Sequence, residues 1–255
     1  MTTTTNHPPV SSIATAAAAC ITLARREFSS YFRQPAGWII IALYLFLASL
    51  VFCLYTLVPG RPASMRDFFA ISGWLLLPVA PAITMRLISE ELRSGTIESL
   101  LTSPAGPWSL VIGKFIGACA FLLAMLVPTA LYVLALARYA TLPLDSGPII
   151  SGYICLALVG LLYLGIGTLA SALTSNSTLA FMLSLFAILG LMFAEAAGAQ
   201  APPGIREVLF SLSLSPRLSD FAKGVLDTGH VVFFLTGAGL CVVGAAVVME
   251  LRRWR

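Results

Sequence analysis

Six long stretches of this chain are apolar on every helical face, and most polar residues fall between them. A helix needs about 20 apolar residues to cross a hydrocarbon core of about 30 Å. By that measure the pattern predicts spans over about Trp38–Val58, Phe68–Ile88, Trp108–Ala137, Pro148–Leu173, Ser177–Ala197 and His230–Met249. Breakers mark several ends: Pro59-Gly60-Arg61-Pro62 closes the first span, and Thr174-Ser175-Asn176 makes a short turn between the fourth and fifth. Pro78 and Pro81 sit inside the second span and Pro128 inside the third, where each removes a helical hydrogen bond and favours a kink. The third stretch is long enough to tilt or to extend beyond the lipid.

Between the spans the periodicity changes. From Ala24 to Gln34, Phe28, Tyr31 and Phe32 recur at helical spacing with Arg25, Arg26 and Arg33 around them, which predicts a helix lying at the membrane surface. Arg86 to Pro104 is a polar island whose leucines and isoleucine, at 87, 92, 97, 100 and 101, predict a short amphipathic helix. Ile205, Val208, Leu209 and Leu212, then Leu218, Phe221 and Val225, predict two short helices dipping into the outer leaflet before the last span. Ser109, Gly113 and Gly117, and likewise Gly167, Ser171 and Ser175, form stripes of small residues that permit close helix contact, within one subunit or between two. Thr2–Ser12 reads as disordered, and the folded domain is placed at 24–255, after a tail of residues 1–23.

Composition turns this pattern into a class. The chain is 58% hydrophobic and 10% charged, against roughly 25% charged in soluble domains, so it reads as an all-α integral membrane protein. With the N-terminus inside, nine Lys and Arg residues fall on the inner side and six on the outer, and Arg252-Arg253-Trp254-Arg255 strengthens that bias. Both termini and the polar island are then cytoplasmic. Lys114, near the start of the third span, is expected to snorkel to the headgroups. No clustered basic stripe points to nucleic acid. Ser12–Cys20 loosely resembles a lipoprotein cleavage site, but no Lys or Arg precedes it within Met1–Val10, so no cleaved leader is expected.

Catalytic chemistry is missing from the sequence. The five cysteines and two histidines are isolated, which predicts no metal site. No H-E-x-x-H or G-x-S-x-G occurs. Gly106–Lys114 mimics a phosphate loop with the wrong glycine spacing and no Ser or Thr after the lysine, so ATP binding by this chain is not expected. Glu195 is the clearest intramembrane charge and reads as a carboxylate at headgroup level near the outer end of the fifth span.

Three segments together carry a family resemblance: Arg25-Arg26-Glu27-Phe28 with Pro35, Ile88–Pro104, and Leu214–Gly229. The chain resembles the membrane subunits of ABC-2-type transporters, with the gliding-motility permeases as the most similar branch. The resemblance implies a permease with six spanning helices, an N-terminal elbow helix (Arg25, Arg26, Glu27, Phe28, Arg33) and a cytoplasmic coupling helix. It implies that Glu90, Glu91, Arg93, Thr96 and Glu98 face a separate ATPase, while Leu92, Leu100 and Leu101 root the coupling helix in the bundle. ATP and magnesium would belong to that ATPase subunit. A second permease chain would complete the unit in a cell inner membrane.

Two functions follow from the same island: a permease, most simply an exporter, driven by the ATPase, or a scaffold or mechanical subunit that binds a cytoplasmic partner without moving a solute. On the first, Glu91→Arg or Gly95→Pro is expected to uncouple ATP hydrolysis from transport without unfolding the bundle. Unchanged ATPase recruitment and unchanged flux in these variants would refute the coupling assignment.

Overall fold

The computed structural model describes residues 12–57, 64–95, 106–139, 145–200 and 202–253, and among them every regular element is helical. In chain order these are α1 (Ser12–Arg33), α2 (Pro35–Val51, continued by a π-helical turn, Phe52–Thr56), α3 (Arg66–Thr84) and α4 (Ser89–Ser94). After them come α5 (Gly106–Leu126), a 3₁₀ turn (Val127–Thr129), α6 (Ala130–Tyr139), α7 (Ser146–Leu173) and α8 (Ser177–Ala199). The described chain ends with α9 (Pro203–Leu212), α10 (Ser215–Ala222) and α11 (Thr228–Arg253). Among the described residues, six helical stretches are long and apolar enough to cross a membrane: α2 with its π turn, α3 through α4, α5 through α6, α7, α8 and α11.

The core lies between α3, α5 and α7, with α11 packed along α7. α2 and α8 sit at the perimeter and leave Trp38, Ile39, Phe46, Leu183 and Phe186 exposed, as suits helices bathed in hydrocarbon. α3 stays helical through both of its prolines. Pro128 instead opens the 3₁₀ turn between α5 and α6, where Thr129 satisfies a freed carbonyl by donating its hydroxyl to the Leu126 oxygen.

Several expected boundaries shift. The segment assigned to a tail through residue 23 is helical from Ser12, and from Cys20 onward α1 packs on α5. The second span stops at Thr84 rather than Ile88, and a turn over 85–88 separates it from α4. The aromatic face of α1 does not lie on lipid. Tyr31 stacks on Phe121 with centroids 4.5 Å apart, and Phe32 meets the same buried ring edge-on at 5.6 Å.

The small-residue stripes explain these contacts. A Cβ built on Gly113 would stand 2.8 Å from Leu23 Cβ, and one on Gly117 would stand 2.7 Å from Glu27 Cβ and 2.9 Å from the Ala24 carbonyl oxygen. Cys20 to Glu27 therefore lie along Gly113 to Gly117, and Tyr31 lies at Phe121, so α1 runs parallel to α5. On α7, a Cβ at Gly167 would fall 1.9 Å from Thr84 Oγ1. Both stripes are thus used within the subunit.

α9 and α10 occupy the segment where two short helices were expected. α10 buries Leu218 and Phe221, and Ser151 on α7 donates to the Phe221 carbonyl at 2.8 Å. Arg217 donates to the Ser211 carbonyl at 2.8 Å and lies 3.7 Å over the Phe233 ring, pinning the α9–α10 corner to α11. α9 rests on α8 and leaves Ile205 and Val208 exposed.

Gly117→Leu is expected to cost about 1–3 kcal/mol or more by overpacking the α1–α5 seam. It should lower the thermal midpoint in detergent, whereas Gly190→Leu, where an added Cβ meets nothing within 4 Å, should leave it unchanged.

Candidate functional site: a shared lysine at one end of the bundle

Three separate parts of the chain meet near the start of α5. α1 brings Glu27, α4 brings Glu91 and α5 brings Lys114. The Lys114 Nζ lies 3.2 Å from Glu27 Oε2 and 3.0 Å from Glu91 Oε1, with its side chain only 8% exposed. One ammonium therefore serves two carboxylates. Burying such a group is unfavourable unless it is paired, and here the pairing spans three elements. The expectation that Lys114 reaches out to headgroups is corrected: the close approach of α1 at Gly117 sets Glu27 beside it and makes an internal partner nearer than the solvent.

α4 is held at its start by α7. Ser171 Oγ accepts the backbone N–H groups of both Ile88 and Ser89 at 3.0 Å, two donors that a helix start leaves without intrahelical acceptors. In turn Ser171 donates to the Met85 carbonyl at 3.3 Å. α4 ends at Gly95, whose φ of 70° is the left-handed geometry that favours glycine at a helix C-terminus. Leu92 is half-buried against the core and anchors the helix, while Glu90 and Arg93 are exposed.

Glu91 departs from the arrangement expected of it. Its carboxylate turns inward to Lys114 instead of outward, and its second oxygen is buried without a hydrogen-bond partner. Glu91→Arg would set a second cation against Lys114 and disturb the bundle, so that change no longer isolates coupling. Thr96, Glu98, Leu100 and Leu101 lie outside the described residues. In α1, Arg25, Arg26 and Arg33 are exposed, Phe28 packs half-buried against Phe32, and Glu27 is the residue drawn inward.

Further ties close this end. Tyr31 donates its hydroxyl to the Ile83 carbonyl at 3.0 Å, joining α1 to the last turn of α3. Desolvation of the ring, with smaller contributions from Glu27 and Cys119, holds the Tyr31 phenol well above its ordinary range, so it stays a neutral donor. Trp108 Nε1 donates to Glu250 Oε2 at 3.0 Å, and Arg252 donates to the Leu173 carbonyl at 3.0 Å, fastening the end of α11 to α5 and α7. A cavity of about 450 Å³ opens beside the lysine, between α1, α2, α3 and α4, with Arg26, Arg86 and Glu90 among its lining.

Neither a nucleophile with its base nor a group of three His, Cys, Asp or Glu side chains suited to a metal occurs among the described residues of this site. The arrangement does mechanical chemistry: it fastens one short helix with exposed charges, α4, to the helices behind it. Comparison with protein families then identifies the setting. Residues 63–216 match the family described as ABC-2 family transporter protein, over more than half of the chain. The chain belongs to the ABC-2 transporter family. No curated protein matched it. The matched region of this ABC-2 protein contains α4, Ser171, Glu91 and Lys114, while Glu27 on α1 lies before it. Family membership together with six apolar helices makes it a multi-pass membrane component of a transporter and not its nucleotide-binding domain.

Lys114→Met would leave two carboxylates facing each other without their cation, a loss expected to cost about 3–5 kcal/mol. The thermal midpoint in detergent should fall clearly. Converting all three residues, Glu27→Gln, Lys114→Met and Glu91→Gln, should recover most of it. A single variant as stable as wild type would refute the pairing.

Proposed function

We propose that this ABC-2 permease couples ATP hydrolysis by a separate ABC ATPase to export across a cell inner membrane, with α4 as the coupling helix and α1 as the elbow. The observation that carries the reading is α4 itself. Glu90 and Arg93 are exposed on it, while the 85–88 turn joins it to α3, Ser171 ties its start to α7 and Lys114 ties Glu91 to α5. A push on the outer face of such a helix is delivered to three helices at once.

The energy source lies in another chain on this reading, since the sequence carries no phosphate loop. ATP and magnesium belong to that ATPase, and two permease chains complete the transporter. The Lys and Arg bias supports a cytoplasmic side for α4 and both termini, where an ATPase can reach them. Thr96 and Glu98 follow Arg93 in the sequence, and the same docking role is proposed for them. Within the family, the gliding-motility branch is the one its motifs resemble.

Purification through the permease in mild detergent, with identification of the proteins that come with it, tests this directly. The ATPase should co-purify with wild type. Arg93→Glu combined with Glu90→Arg reverses two exposed charges without touching the lysine cluster, and it should weaken capture at least tenfold at unchanged thermal midpoint. Full capture by the double variant would remove α4 as the docking element.

A further inference from the structure

The lysine cluster carries a net negative charge: one ammonium faces two carboxylates, brought by two different helices. Electrostatic potentials add. At Glu91 the attraction of Lys114 is offset by the negative charge of Glu27 on the far side of the same ammonium, and the converse holds at Glu27. The two legs are also unequal. The α1 leg has a hydrogen bond from Lys114 to Glu27 Oε2 and the tight backbone seam at Gly113 and Gly117 behind it. The α4 leg has the ion pair to Glu91 Oε1, shorter at 3.0 Å against 3.2 Å, but it is backed by a six-residue helix held at its start by Ser171, and Glu91 Oε2 is buried with no donor. Beside α4 lies the 450 Å³ cavity, with Arg26 and Glu27 on the α1 side and Arg86, Glu90 and Glu91 on the α3–α4 side, so a short helix has room to shift there.

We infer that Lys114 is a positioning residue for which α1 and α4 compete, so that weakening one leg strengthens the other, and that the α4 leg is the one that lets go. Its consequence for transport rests on the docking reading above: a partner that draws α4 away from Lys114 leaves the ammonium wholly to Glu27 and tightens α1 on α5. A cluster that merely staples three helices together would respond differently, because loss of either carboxylate would then loosen both helices.

Hydrogen–deuterium exchange on the full permease alone, in lipid nanodiscs, separates the two. In Glu91→Gln, amides of α4 should exchange about fivefold or more faster, and those around Glu27 should slow. In Glu27→Gln, amides of α4 should slow, although the altered residue lies on another helix. Inverting all three charges, with Glu27→Lys, Lys114→Glu and Glu91→Lys, should return both segments toward wild-type rates. Faster or unchanged exchange of α4 in Glu27→Gln overturns the proposal. Should that variant fail to fold, Glu27→Asp, which withdraws the carboxylate by one methylene, must slow α4 in the same sense or the proposal falls. Because no ATPase is present, a negative result here leaves the docking reading intact. Absence of ATPase capture by wild type would overturn the docking reading, and with it the link to transport, while leaving the exchange result to stand or fall separately.

Discussion

Close approach of helix backbones sets the geometry on which the rest of this end of the molecule depends. Gly113 and Gly117 on α5 and Gly167 on α7 admit α1 and α3 to distances that a methyl group would forbid. In an apolar medium such contact is a main source of association, since water supplies no hydrophobic drive between spans. With α1 held this close, Glu27 has no choice but to lie beside Lys114. With α3 held this close at Thr84, the turn after it falls onto Ser171.

Two polar requirements are then met by residues from distant parts of the chain. The exposed N–H groups at the start of α4 need an acceptor, and Ser171 supplies one oxygen for two of them. The ammonium of Lys114 needs an anion, and two are supplied. These are the contacts through which a six-residue helix, too short to be stable alone, becomes a fixed part of the bundle. Glu90 and Arg93 are left exposed on its other face.

The opposite end is built by the same logic with different chemistry. Arg217 donates from its two terminal nitrogens to carbonyls around the α9–α10 corner and lays its flat face on Phe233, and desolvation lowers its pKa from the ordinary arginine value. Ser151 gives its hydroxyl to the Phe221 carbonyl. At the 85–88 turn and at the α9–α10 corner a side chain thus takes up freed backbone groups, the condition for irregular backbone within an apolar protein.

The sequence by itself determined the six spans, the presence of short helices between them, the polar island and the lack of a phosphate-loop motif. Those depend on composition and on periodicity within about 20 residues, which are local quantities. It also exposed the glycine and serine stripes, without saying which helix each stripe would meet. Only the tertiary structure decided that Glu91 turns inward, that Lys114 is shared and not snorkelling, that the aromatic face of α1 lies on Phe121, and that α1 begins at Ser12. Each of these joins residues tens of positions apart. A charged side chain in a linear pattern looks the same whether its partner is water or a carboxylate from another helix, and only packing brings that partner within 3 Å or so.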